Sequence, residues 1–367
     1  MYPRVLYFGR KHLIWALLLL APGIANAAAG SVYEQRVLYK SALDALTAGQ
    51  TRRFREAQQE LSDYVLAPYL AYHELQSRLS SASADEIRNF RTFHADLPAA
   101  RIIHYRWLRR LGSRREWRTL LDNYSDTTDA ELKCFRLRAL YGTGEREQAF
   151  AEVPELWMVA KSQPKACDPL FDVWISNGRL TERMVWTRLK LALDANGRAL
   201  ARYLQRFFKG STAQLATAYY NVHVTPANIT RTSRYRTDSA YARDVVRHGL
   251  IRLARRDPAA AVKAWRTYRS GDAFNEEDIE AIDSAIAIGY ARDGRFPDPA
   301  TEIPTAAAAE IALAAISLED WAQAAHWIDQ IGGEQRLERR WQYWLARSLA
   351  GSVLHSDRAQ LTFASLA

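Results

Sequence analysis

From residue 31 onward the chain repeats apolar side chains at helical spacing, and only short breaks interrupt the pattern. Ala, Leu, Arg, Glu and Gln fill most windows, and alternating β-branched runs are almost absent. These features predict packed helices and leave little sequence from which a sheet could be built. Helices are expected over Tyr33–Thr47, Arg52–Glu60, Tyr69–Leu79, Ala84–Phe93, Pro98–Leu111, Arg114–Asn123, Ala130–Gly142, Arg146–Ala160 and Asp168–Ser176. The series continues with Thr181–Ala195, Ala199–Arg206, Leu215–Asn221, Ser239–Arg255, Pro258–Tyr268, Asn275–Asp293, Thr305–Leu318, Trp321–Ile331 and Glu334–Leu349. Most breaks are about two to six residues, the length that joins antiparallel neighbours. Two longer connections, Val222–Asp238 and Gly294–Pro304, are rich in Pro, Thr, Asn and Asp.

A loose repeat runs through this series. Tyr141-Gly142 is followed by Glu147-Gln148-Ala149-Phe150. Asp257-Pro258 is followed by Val262-Lys263-Ala264-Trp265, and Asp320-Trp321 by Ala324-Ala325 and Trp327. Small residues let two helices approach closely while the aromatic residue covers the adjacent layer, which is the logic of helix-pair solenoids. The spacing is too irregular for a consensus tetratricopeptide array, and an ordinary multidomain α-protein is the rival architecture.

The amino-terminal residues follow a different rule. Arg4, Arg10 and Lys11 precede the apolar run Leu13–Leu20. Pro22 and Gly23 break that run, and Ala25-Asn26-Ala27 is an A-x-A cleavage site. Residues 1–27 are thus expected to be a secretory signal peptide, the run being short for a membrane anchor. No cysteine closely follows the run to accept lipid, and no later segment reads as a membrane span. Removing the three basic residues takes the formal charge from +9 to +6. Arginine pairs recur at Arg52-Arg53, Arg109-Arg110, Arg114-Arg115, Arg255-Arg256 and Arg339-Arg340. They read as solvated helix faces, and as a diffuse basic surface that can attract an anionic polymer. For an exported chain this polymer is cell-wall material and not nucleic acid.

Two cysteines, Cys134 and Cys167, suit an oxidising compartment. They are expected to form one disulfide over two or three helices; the other reading is a pair of buried free thiols acting as apolar fillers. Two cysteines alone do not make a metal site. Gly142-Thr143-Gly144 lacks the lysine and remaining glycines of a phosphate loop, and no H-E-x-x-H or G-x-S-x-G pattern occurs. The histidines at positions 12, 73, 94, 104, 223, 248, 326 and 355 are scattered. Glu276, Glu277 and Asp278 fit the dipole at a helix start. Glu74, beyond the Tyr69–Tyr72 stripe, reads as a solvated helix face more readily than as the lining of a saccharide groove. No catalytic residue, cofactor site or metal site is assigned.

Three stretches carry a resemblance: Leu66–Tyr72 (LAPYLAY), Arg115–Leu121 (REWRTLL) and Leu156–Phe171 (LWMVAKSQPKACDPLF), together with the cysteine pair. They resemble the soluble lytic murein transglycosylases of Gram-negative bacteria, over residues of about 31 to 350. The resemblance implies an all-α fold, an α-α superhelix built as a ring-like solenoid of helix hairpins, and a disulfide between Cys134 and Cys167. It also implies work in the periplasm on peptidoglycan glycan strands, with envelope proteins as the alternative partners of a helical adaptor. In that family a separate lysozyme-like domain cleaves the bond between N-acetylmuramic acid and N-acetylglucosamine and leaves a 1,6-anhydro end. It uses one glutamate in a Glu-Ser-x-Phe/Trp context, followed by Gly-Leu-Met-Gln. Neither motif occurs in this sequence. The resulting expectation is a superhelical domain over residues 28–350 without that catalytic domain. An atypical tail is expected over 351–367, of the kind a truncation or frameshift leaves, with helical order loosening after about Trp344.

Overall fold

The computed structural model describes residues 31–235, 238–270, 273–298, 303–351 and 361–364. The expected signal peptide, residues 1–27, lies outside the described residues, as does most of the expected tail. Among the described residues there is no β-strand. The fold is all-α, a solenoid of helix hairpins. Contacts divide the chain into two compact units, Met1–Arg110 and Leu111–Ala367.

The first unit holds α1 (Val32–Thr47), α2 (Thr51–Glu60), α3 (Ala67–Ser77), α4 (Ala84–Phe93) and most of α5 (Pro98–Arg114). Ser31 and Ser83 open α1 and α4 with capping boxes, closed by Glu34 and Glu86. Ala42 and Ala45 of α1 pack with Phe54 and Ala57 of α2 and with Leu70 of α3. Arg78, just past α3, pairs with Glu74 at 2.6 Å and with Glu86 of α4 at 2.6 Å.

The second unit runs through α6 (Trp117–Asn123), α7 (Ala130–Thr143), α8 (Arg146–Trp157), α9 (Asp168–Ser176), α10 (Glu182–Asp194), α11 (Arg198–Leu204) and α12 (Gly210–Val224). It continues with α13 (Ala240–Ala254), α14 (Pro258–Tyr268), α15 (Glu276–Arg292), α16 (Thr305–Ser317), α17 (Trp321–Asp329) and α18 (Arg339–Gly351). The main packing partners of each helix are its next and next-but-one neighbours in the chain, which is the mark of a solenoid.

The loose sequence repeat has a physical counterpart. Ala149, Ala264 and Ala324 are buried at hairpin contacts, and Phe150, Trp265 and Trp327 are buried beside them. A second recurrence joins the first residue of one helix to a glycine near the end of the next. Trp117 of α6 lies on Gly142 of α7, and Trp321 of α17 lies on Gly351 of α18. A methyl group at these glycines would come within 2.7 Å and 2.8 Å of the indoles.

Most expected helix ends fall within a few residues of the observed ones, and three departures have local causes. Helix α5 continues to Arg114, and Arg115 then turns at φ 60°, so α6 starts at Trp117 and not at Arg114. Helix α12 extends beyond Leu215–Asn221 on both sides, because Gly210 provides its first residue at φ 55° and Val222 and His223 are buried. The span Glu334–Leu349 is broken at Glu338 (φ −58°, ψ 137°), after a 3-10 turn over Gly333–Leu337. Helix α18 then runs from Arg339 through Gly351. Trp341, Leu345 and Leu349, on one face at four-residue steps, share a core with Trp327 and Ile328.

Candidate functional site

Cys134 of α7 and Cys167 are joined in a disulfide, with Cα atoms 5.0 Å apart. This decides between the two readings of the cysteine pair. The bond anchors the segment between α8 and α9, much of which lies in the resembling stretch Leu156–Phe171. Arg138 Nη1 donates to the Ala166 carbonyl at 3.2 Å. Arg188 of α10 is buried and donates to the carbonyls of Val159 and Lys161, each at 3.3 Å. Its guanidinium lies 4.5 Å from the Trp157 ring centroid. Burial lowers Arg188 to about 10, so it still carries its charge near neutral pH. Its Nε and Nη2 groups both donate to backbone, which makes it a pin for the loop.

A cleft of about 870 Å³ lies in the second unit between α12, the connection after it, and α13. Its position follows from how that connection is held. Pro226 and Ile229 are buried, and Ile229 sits against Gly249 of α13, where a β-carbon would lie 3.0 Å from its side chain. Tyr268 of α14 donates its hydroxyl to the Ile229 carbonyl at 3.0 Å. Burial raises the Tyr268 hydroxyl well above its ordinary range and keeps it protonated as that donor. The connection is thereby fixed, and Arg234, Tyr235 and Asp238 complete the cleft. One face of α12 presents Ser211, Gln214, Thr217 and Asn221 to it, while Ala242 and Val245 form an apolar part of the lining. The side chains of Ser211, Gln214, Asn221, Arg234 and Asp238 make no hydrogen bond or ion pair among the described residues, so the cleft offers both donors and acceptors. Amides and hydroxyls beside a tyrosine are complementary to a ligand dense in hydroxyl and amide groups.

Behind α12 lies a polar chain centred on two buried histidines. Asn196, at φ 58° in the turn after α10, accepts from His223 Nε2 at 2.9 Å. His223 Nδ1 then accepts from Nε2–H of His248 at 3.1 Å, and His248 Nδ1 faces Asp194 at 3.4 Å. Burial, with Arg252, His248 and Arg198 nearby, pushes His223 down to about 4, so it is neutral at physiological pH. Burial acts to raise the Asp194 carboxyl, but its hydrogen bond to His248 and the charges of His248, Lys190 and Arg247 outweigh this and hold it below its usual range. Close by, Trp186 of α10 stacks on Tyr241 with ring centroids 4.3 Å apart and donates to Asp244 of α13 at 2.7 Å. These groups lock α10, α12 and α13 together. His223 is fully buried, and the chain is structural support for the cleft.

Sequence reasoning located none of the cleft residues. Of the carboxylates it weighed, Glu74 is tied to Arg78 at 2.6 Å. Glu276, Glu277 and Asp278 occupy the first turn of α15, whose cap is Asn275. The described residues contain no group of three His, Cys, Asp or Glu side chains placed to hold a metal ion.

The chain is 28% identical over 286 residues to the soluble lytic murein transglycosylase of Escherichia coli K12, a match covering 76% of this chain and 44% of the relative. The enzyme of Salmonella typhimurium matches at 28% over 284 residues, with the same coverage of 76% and 44%. In structure, the chain aligns with an inactive mutant of the lytic transglycosylase Slt of Pseudomonas aeruginosa at a TM-score of 0.71 and 33% identity. That alignment covers 90% of this chain and 55% of the other. The chain is homologous to the soluble lytic murein transglycosylases. The 70 kDa soluble lytic transglycosylase of Escherichia coli shows the same fold, at a TM-score of 0.73 and 24% identity over 91% of this chain. No family model matches the sequence. The chain spans about 44% of the length of the curated relatives it matches. Among its described residues no helix is long and apolar enough to cross a membrane.

Proposed function

We propose that this chain is the superhelical, peptidoglycan-contacting region of a periplasmic soluble lytic murein transglycosylase, and that these 367 residues alone bind glycan strands without cutting them. The observation that carries the reading is the alignment with the Pseudomonas aeruginosa enzyme over 90% of the chain. The cleft beside α12 supplies a surface of matching chemistry. Its Ser211, Gln214 and Asn221 side chains hydrogen-bond without carrying charge, which suits a chain of N-acetylated sugars. Family activity cleaves the bond between N-acetylmuramic acid and N-acetylglucosamine and leaves a 1,6-anhydro end. The Glu-Ser-x-Phe/Trp context of its catalytic glutamate does not occur here, which supports a scaffold role for this polypeptide. The domain reading is a signal peptide over 1–27, the superhelix over 28–350 and a distinct tail over 351–367.

Incubation with purified murein sacculi tests this. The chain is expected to co-sediment with sacculi and to release no 1,6-anhydro-muropeptides. Release from a clean preparation would overturn the scaffold reading. Failure to co-sediment, with an envelope protein captured instead, would favour a helical adaptor.

A further inference from the structure

Behind α12, guanidinium groups gather around His223. Arg252, in the last turn of α13, donates its Nε–H to the His223 carbonyl at 3.1 Å. Asn196 meets the His223 ring at 2.9 Å, and Arg198 follows Asn196 in a turn closed by a 3.0 Å backbone hydrogen bond between the two. Arg256 stands about one helical turn beyond Arg252, just past the end of α13. Burial first, and then the charges of Arg255, Arg256 and Arg198, hold Arg252 below its ordinary range against the opposing influence of Asp194.

The neighbouring carboxylates Asp194 and Asp257 are already engaged. Asp194 faces His248 at 3.4 Å, and Asp257 accepts from the Ala260 N–H and caps α14. Arg255 turns instead into the groove beside α15 and α16, among Glu277, Glu280 and the pair Arg292–Glu310. Arg198, Arg252 and Arg256 make no ion pair among the described residues. The helix dipole favours Arg252 and Arg256 at the carbonyl end of α13, but it disfavours a cation at Arg198, the first residue of α11. The fold thus holds three like charges together without an acid to bind them. Pinned through Nε, Arg252 keeps both Nη groups for a ligand, in the planar fork that matches a carboxylate.

We propose that Arg198, Arg252 and Arg256 form a binding site for a ligand with several carboxylates and, resting on the peptidoglycan reading above, that this ligand is the murein stem peptide. The peptide is joined to its glycan strand through its amino terminus, so its free end is a carboxylate, and its acidic residues supply others. The N-acetylated sugars, with their lactyl groups tied up in amides, carry no charge, so the anionic groups of the polymer sit on its peptides. The arginine cluster suits those groups as the amides and hydroxyls of the α12 cleft suit the sugars. A carboxylate among the guanidiniums also relieves their mutual repulsion, which strengthens its attraction beyond that of one arginine.

Calorimetric titration of the whole chain tests the proposal with the disaccharide–tetrapeptide muropeptide released from sacculi by a muramidase, the same muropeptide with its carboxylates converted to amides, and N-acetylglucosamine tetramer. The muropeptide is expected to bind, more weakly at high salt. Amidation of the probe and the double variant Arg198→Glu/Arg256→Glu are each expected to weaken it about tenfold or more. Tetramer binding by the variant should be unchanged. Both substituted positions are exposed, and a circular dichroism melt verifies that the variant folds. The amidated probe needs no variant and tests the carboxylates on the native chain. Absence of muropeptide binding, or equal binding by the variant or of the amidated probe, would overturn the assignment. So would displacement of the muropeptide by inorganic phosphate at equal concentration, which marks a general anion site. The tetramer judges the glycan reading separately: arginine-dependent muropeptide binding without tetramer or sacculus binding would remove that reading and leave the carboxylate site standing.

Discussion

A buried imidazole that stays neutral makes the folded state sensitive to acid. His223 is held down to about 4 in the fold, against an ordinary value near 6.5. Between those values the unfolded chain takes up a proton that the folded chain refuses, so stability is fully present above about pH 6.5 and declines as pH falls toward 4. The decline attributable to this one side chain is on the order of 2–3 kcal/mol. Asp194 adds a separate loss at lower pH, because its folded value lies below the ordinary carboxylate range. Urea unfolding at pH 7.5, 6, 5 and 4 measures this, and His223→Asn is expected to flatten the segment between 6.5 and 4. An unchanged slope in that variant would disprove the assignment. None of this was legible in the sequence. His223 and His248 stand 25 positions apart on different helices, and no spacing rule connects two residues that meet only through packing. The cleft residues Gln214, Thr217 and Asn221 escaped for a similar reason. Polar side chains on one helix face look the same whether they meet a cleft or open water.

At the scale of elements, the sequence was far more informative, because apolar spacing and capping residues are local signals. Asp129, Thr181, Ser239, Asp257, Asn275 and Asp320 each accept a backbone N–H at the start of a helix, and the expected starts of those helices fall within a residue. The misplaced boundaries have no such local sign. Arg115 adopts the left-handed conformation although it is not glycine, since the seating of Trp117 on Gly142 compensates a turn that its own residue type disfavours. The disulfide is the element-scale feature with the clearest energetic consequence. It closes a separation of 33 residues and brackets all of α8 and the loop that Arg188 pins. Chain-entropy reasoning gives a contribution of about 3–4 kcal/mol for a loop of that size. The double variant Cys134→Ala/Cys167→Ala is expected to lose about that much in denaturant unfolding. The loop between α8 and α9 should become protease-sensitive first, since the remaining anchors are a few hydrogen bonds, one each from Arg138 and Gln163 and two from Arg188. Equal stability with and without the bond would show that those hydrogen bonds suffice.

At the scale of the whole molecule, helices that pack mainly on their next and next-but-one neighbours leave the described residues in several separate cores, with no single one through which damage can spread. The core of α16, α17 and α18 is formed by Trp327, Ile328, Trp341, Leu345 and their neighbours, and it is distinct from the core that begins at Cys134. The core of α1, α2 and α3 is distinct again. Stability then approximates a sum of local terms, and a lesion should stay local. Trp327 is almost completely buried, and Trp327→Ala removes a side chain whose loss from a core typically costs about 3–5 kcal/mol. Hydrogen exchange under native conditions is expected to show α16–α18 losing protection in this variant while α1 and α2 keep theirs. A single cooperative core would instead lower protection across the chain by a similar amount. That uniform loss would contradict the solenoid account of its stability, because helices so far apart in sequence would then have to share one unfolding transition.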